Sequence, residues 1–276
     1  MNYSLAKIFH QSTKVKYQKE MEKSADLKGP PPEWTTIYFK EYPRLPKISL
    51  PKPNPIRNKI SNGARKLDYS LTEALIKRRS EREFNGKPIS LKDLSQLLFY
   101  SAGIFEKATT RSPHPPTRQK ASGPLEDWNK TRRAYPSGGA RFPLEIYLFN
   151  LQTSNDLKEG IYHYNVKQHS LEKLLEEKNL RKEIYPKAIW QEMILKVPVV
   201  LVISAIFDRT MMKYKERGYR YILFEAGHLG QNIYLVSTAL SLKCCAIGGF
   251  DDDKFHELLD IDGDNEAVLY AFTLGY

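Results

Sequence analysis

Val197-Pro198-Val199-Val200-Leu201-Val202-Ile203-Ser204-Ala205-Ile206 is the stretch whose reading decides the fold. Its β-branched and aliphatic run lacks polar alternation, which suits a central strand buried on both faces. Downstream, residues 225–240 space Ala226, Leu229, Ile233, Val236 and Leu240 as the core-facing stripe of a long helix. A last strand is predicted over 267–274. Upstream, residues 144–150 alternate aliphatic positions at 144, 146 and 148, and 160–164 read as a further strand turning back through Asn165. Helices and strands mix without a regular βαβ rhythm, so the fold class is α+β rather than a doubly wound sheet.

Helix starts are marked by capping boxes. Ser70-Leu71-Thr72-Glu73 opens a helix predicted to run through Arg79, and Ser90-Leu91-Lys92-Asp93 opens another. The second carries Leu94, Leu97, Leu98 and Ala102 on one side and ends at Gly103. Eight of the 17 prolines fall between Pro30 and Pro55, where fixed φ angles and missing donors give an extended arm over a surface. Residues 1–65 therefore read as an N-terminal extension, with a short helix before the proline arm, and 66–276 as the main domain. Residues 106–134 are polar and rich in Pro, Ser, Arg and Lys, which reads as a mobile loop and a candidate lid.

The chain of 276 residues is 41% hydrophobic, enough for one large core or two modest ones. Its two cysteines, Cys244 and Cys245, are neighbours, which points away from a disulfide framework and towards small buried hydrophobes in a reducing, cytoplasmic setting. The first 19 residues lack the apolar core of a signal peptide, and the longest apolar run, 197–207, is far short of the ~20 residues of a membrane helix. Expectation is thus a soluble protein with no membrane contact. The net charge of +11 favours anionic ligands, but the lysines are scattered rather than striped with stacking aromatics, so no nucleic-acid partner is expected.

Four short segments carry the chemistry. Arg78-Arg79-Ser80-Glu81-Arg82 places three guanidinium groups and a hydroxyl where they can grip a terminal phosphate. Tyr135-Pro136-Ser137-Gly138-Gly139-Ala140-Arg141-Phe142-Pro143 is a small-residue turn leading into a strand. Glu225 to Asn232 (EAGHLGQN) lies on the long helix, and Ala246-Ile247-Gly248-Gly249-Phe250-Asp251-Asp252 is a second glycine turn. Glycine turns let backbone amides approach a flat ligand, and neither turn matches the Rossmann or P-loop spacing. His228 reads as a hydrogen-bonded core histidine. Asp251, Asp252 and Asp253 read as a helix N-terminus rather than a metal site, because successive carboxylates do not converge.

Taken in order, these segments resemble the FMN-dependent nitroreductase family over about residues 66–276. More narrowly, they resemble its thiazole/oxazole-forming peptide oxidase branch, the SagB-type dehydrogenases, whose N-terminal extension residues 9–14 also resemble. The resemblance implies a central, mostly antiparallel sheet flanked by helices, and a homodimer with FMN in the cleft between subunits. It implies that Arg78, Arg79, Ser80 and Arg82 hold the FMN phosphate and ribityl chain. Pro136, Ser137, Gly138 and Gly139 would meet the flavin, Gln231 would lie on the helix supporting the ring, and Ile247, Gly248 and Gly249 would form the turn whose amide points at flavin N5. The branch carries a Lys-Tyr pair upstream of that helix, here Lys213-Tyr214 in a basic aromatic segment that reads by itself as a loop. Lys213 would take the Cα proton of an azoline ring, and Tyr214 would orient the substrate. A peptide substrate and a partner cyclodehydratase are implied as well. The family usually places a basic residue beyond its last strand. Here the sequence stops at Leu274-Gly275-Tyr276, so either Arg82 and a lysine elsewhere compensate or FMN binds more weakly. Two other readings stand beside this one: a general NAD(P)H-dependent nitro or quinone reductase, and a basic binding module without redox chemistry.

Overall fold

The computed structural model describes residues 5–14, 36–53, 67, 69–107, 131–154 and 156–276. Seven strands form one sheet: β1 (Lys47–Ser49), β4 (Leu144–Asn150), β5 (Gly160–Asn165), β6 (Ser170–Leu175), β7 (Val199–Ile206), β8 (Lys243–Ile247) and β9 (Glu266–Gly275). Their order is β1-β6-β5-β4-β7-β9-β8, and every neighbouring pair is antiparallel. A separate ribbon pairs β2 (Ile104–Lys107) with β3 (Thr131–Arg133). Helices α1 (Leu5–Ser12), α2 (Leu71–Lys77), α3 (Leu91–Ala102), α4 (Leu180–Ile184), α5 (Asp208–Tyr214), α6 (Glu216–Ala239) and α7 (Asp252–Leu259) complete the described fold.

The run at 197–206 becomes β7, paired with β4 on one side and β9 on the other. Both faces are covered, which explains its composition. Leu201 and Ile203 join the core beneath α3 and α6, with Leu97, Leu229 and Ile233. Val200 and Val202 join the opposite core with Ile184 of α4 and Phe255 of α7. β4 behaves likewise: Leu144, Ile146 and Leu148 face the first core, Tyr147 and Phe149 the second. Its alternation therefore divides residues between two cores rather than between core and water. Part of the proline-rich arm completes the sheet edge, with β1 paired to β6 and Ile37 and Leu50 buried.

Three sequence expectations need correction. α2 is capped by Ser70 as expected, but it stops at Lys77 instead of Arg79, because Glu81 donates its backbone N–H to the Cys244 carbonyl (2.9 Å) and draws the chain towards β8. α6 begins at Glu216 rather than 225, so the segment around Lys213 is helical, not a loop. Of the loop expected over 106–134, residues 106–107 end β2, 131–133 form β3 and 108–130 lie outside the described residues.

A buried polar chain crosses the sheet. The Glu145 carboxylate of β4 meets Arg209 of α5 at 2.6 Å and His163 of β5 at 2.8 Å, and the other His163 nitrogen meets Glu172 of β6 at 2.9 Å. Burial alone would raise the Glu145 pKa, but the Arg209 charge and the His163 bond outweigh it and hold it down to about 2. Burial likewise opposes the charge on His163, yet its two carboxylate partners raise its pKa. Removing one member of such a buried set leaves an uncompensated charge. Arg209→Met is expected to lower stability by about 3–5 kcal/mol in urea denaturation, and an unchanged midpoint would contradict this account.

Candidate active site

The guanidinium stretch gathers around one tyrosine. Ser80 Oγ lies 2.9 Å from Tyr234 Oη on α6, the Arg78 guanidinium sits 5.3 Å from the centre of the Tyr234 ring, and Arg82 reaches back to the Ser80 carbonyl at 3.5 Å. Arg79 turns the other way and donates to the Ile76 and Arg78 carbonyls, both at 2.9 Å, closing the end of α2. Tyr234 Oη also accepts the Ala246 N–H at 2.7 Å, so one phenol couples residues 78–82 to the last residues of β8. Beyond them, Ile247 is buried while Gly248 and Gly249 are exposed. A Cβ at Gly248 would meet nothing within 4 Å, so the backbone there borders open space. The half-exposed Trp190 ring stands beside Gly249.

The other turn gathers around Gly139. Pro136 is exposed, and Ser137 Oγ accepts the Phe142 N–H at 2.8 Å, closing a short 3₁₀ turn in which Gly139 has φ 61°. A Cβ at Gly139 would lie 2.5 Å from Tyr214 Oη and 3.0 Å from Lys213 Nζ. The Lys-Tyr pair therefore rests directly on this glycine. Arg209, on the same helix α5, holds the pair in place by donating to the Phe142 carbonyl (3.1 Å) as well as to Glu145. Burial and then the charge of Arg141 lower the Lys213 pKa. Burial and the neighbouring Tyr221 raise that of Tyr214. Gly138 donates its N–H to Glu225 Oε1 at 2.9 Å, and Glu225 Oε2 is buried with no partner among the described residues. Burial pushes the Glu225 pKa up to about 7.

The two gatherings share α6 but not a face of it. Glu225 and Tyr234 are nine residues apart, which is two and a half turns and about 14 Å along the axis, so their side chains leave opposite sides of the helix. Gln231 is exposed between them. His228 is exposed as well, a correction to the expected core histidine, because the buried stripe runs through Ala226, Leu229 and Ile233 instead. Asp251 caps α7 by accepting the Lys254 N–H at 2.8 Å, and both cysteines are free and buried. Sequence reasoning missed Tyr234, Glu225 and Arg209. Tyr234→Phe removes the acceptor of Ala246 and the partner of Ser80. Thermal denaturation is expected to show a loss of about 1–2 kcal/mol, and an unshifted transition would remove Tyr234 from its coupling role.

The nitroreductase family profile matches residues 75–276. A protein of Methanocaldococcus jannaschii named as a nitroreductase is 34% identical over 194 residues, 70% of this chain and 86% of that protein. The microcin B17-processing protein McbC of Escherichia coli is 30% identical over 154 residues, 54% of this chain and 56% of that protein. In structure, a protein of Anabaena variabilis described as a nitroreductase aligns with TM-score 0.67 and 25% identity, covering 99% of this chain and 46% of its own. The chain thus spans about half the length of the microcin and Anabaena proteins. On the extent of the profile match and of the M. jannaschii similarity, the chain belongs to the nitroreductase family, whose members are flavin-dependent oxidoreductases.

Proposed function

We propose that this chain is an FMN-dependent dehydrogenase that oxidises azoline rings of a modified peptide to azoles, with residues 66–276 as its flavin-binding domain and 1–65 as an extension. The observation that carries the reading is the pairing of Lys213 Nζ and Tyr214 Oη against Gly139. Similarity to a protein that processes microcin B17 supports a peptide substrate.

The residues fit the cofactor. Arg78, Ser80 and Arg82 would hold its phosphate, with Arg79 bracing the end of α2 behind them. Pro136, Ser137, Gly138 and Gly139, together with Ile247, Gly248 and Gly249, offer open backbone to a flat ring, and the exposed Gln231 lies on the intervening helix. FMN held there would supply the two-electron acceptor for the azoline Cβ hydrogen, which leaves as hydride. Aromatisation also requires loss of the Cα proton. Lys213 Nζ receives it; the lowered pKa of this amine makes its neutral, basic form more available near pH 7. Tyr214, whose raised pKa keeps its proton in place, donates a hydrogen bond that orients the ring.

Because Arg78, Ser80 and Arg82 cluster on the opposite side of α6 from the Lys-Tyr pair, a complete site requires a second copy to bring the two sets together. Apolar residues exposed on the same elements support that homodimer: Leu71, Leu75 and Ile76 on α2, and Leu223 and Phe224 on α6. The substrate chemistry also calls for a preceding enzyme. An azoline arises by cyclodehydration of a Cys, Ser or Thr side chain onto the peptide backbone, so a cyclodehydratase is the expected partner. Free buried cysteines favour the cytoplasm, and no described helix is long and apolar enough to cross a membrane.

Lys213→Ala is expected to slow azole formation from an azoline peptide at least ~100-fold, read as loss of two hydrogens by mass spectrometry, while FMN stays bound. An unchanged rate would remove Lys213 as the base. Turnover of nitrofurazone with NADPH but none of azoline peptide would favour a general reductase instead.

A further inference from the structure

Glu225 has no part in the mechanism just derived, yet it is hydrogen-bonded to the turn that would meet the flavin. It is 2% exposed, and one of its oxygens is committed to the Gly138 N–H at 2.9 Å. Its other oxygen, Oε2, is buried and makes no direct hydrogen bond among the described residues, with the Ser137 hydroxyl as its polar neighbour. Leaving a carboxylate half-satisfied is costly, and a glutamine would keep the Gly138 bond without burying a charge. The geometry therefore gives charge at this position a task beyond filling space.

We propose that Glu225 positions the flavin-contacting turn through its charge: as a carboxylate its Oε1 holds the Gly138 N–H, and a proton taken up at Oε2 loosens that hold and weakens flavin binding. The inference rests on the FMN reading above. A hydrogen bond to an ionised acceptor is stronger than one to a neutral acceptor, and Gly138 links this bond to Gly139, on which Lys213 and Tyr214 rest. The oxidised flavin ring carries no charge of its own, so its arrival opposes neither state of Glu225 directly.

The groups facing Glu225 come from several elements. Arg133 of β3 and the Ser137 hydroxyl favour its ionised form. Tyr135, in the segment leading to the turn, is itself pushed up to about 12 by burial, and Tyr214 of α5 is also raised. Tyr221, one turn back on α6, packs its side chain against Gly138. The raised phenols of Tyr135 and Tyr214 keep their protons near neutrality. Lys213, beside Gly139, is the rival titrating group, because its pKa is lowered. Glu225 itself, raised to about 7, changes charge where the effect is measurable.

The test follows FMN affinity and the Gly138 amide proton by NMR between about pH 5.5 and about pH 8.5 in wild type, Glu225→Gln and Lys213→Met. In wild type the amide is expected to titrate with a midpoint near 7, and FMN affinity to exceed that of Glu225→Gln about tenfold at the alkaline end. The two affinities should converge at the acid end. The FMN phosphate titrates near 6 in both proteins and so cancels in the comparison. Lys213→Met should keep the amide titration; its loss there would assign the titration to Lys213 and overturn the proposal. Equal pH profiles in wild type and Glu225→Gln would overturn it as well. If Glu225→Gln does not fold, the wild-type amide decides: a Gly138 signal that stays fixed across the range refutes the inference. Failure of wild type to bind FMN at any pH would instead sink the flavin reading, and the amide titration would still report on Glu225 separately.

Discussion

A single carboxylate, Glu145, ties the sheet to the helix that carries the candidate base. It sits inside β4, buried, with Arg209 on one side and His163 on the other. In water such contacts contribute little, but between two covered faces of a sheet a missing partner leaves a bare charge. The chain Arg209–Glu145–His163–Glu172 therefore disfavours register slips among β4, β5 and β6, since a one-residue shift would turn these side chains into the opposite apolar core. The same arginine fixes α5, and α5 ends in Lys213 and Tyr214. Specificity of the fold and placement of the Lys213-Tyr214 pair thus rest on one buried ion set.

α6 is the second organising element. It buries Leu229, Ile233 and Val236 against the sheet and offers Glu225 to one turn and Tyr234 to the other. A helix joins these two points more rigidly than a loop would, and its 3.6-residue period sends them to opposite sides. That geometry separates the guanidinium cluster from the Lys-Tyr pair within one chain.

How much of this was legible beforehand follows from physical range. Local signals read well: the β-branched run of β7, the capping boxes at Ser70 and Ser90, the stripe on α6 and the cap at Asp251 all act within a few residues. Helix ends decided by distant partners did not, as at Lys77, where the Cys244 carbonyl captures the chain. β8, with its mixed KCCAI, and the short β1 carry little period of their own and exist because a neighbouring edge needs pairing. The glycine turns and the arginine stretch were visible as types. Tyr234, Glu225 and Arg209 were not, because a tyrosine, a glutamate or an arginine on an amphipathic helix looks like any surface residue until its partner is placed. Polar residues interrupting otherwise apolar strands, as Glu145 does between Leu144 and Ile146 and His163 between Tyr162 and Tyr164, were the available hints of the buried network.

The most direct test of the central claim is an anaerobic mixing experiment with FMN-loaded protein and an azoline-containing peptide, followed by the visible flavin band. The account predicts that the band bleaches in step with azole formation, one flavin reduced per ring oxidised, without any added nicotinamide. A band that persists with the azoline peptide yet bleaches with NADPH would contradict it.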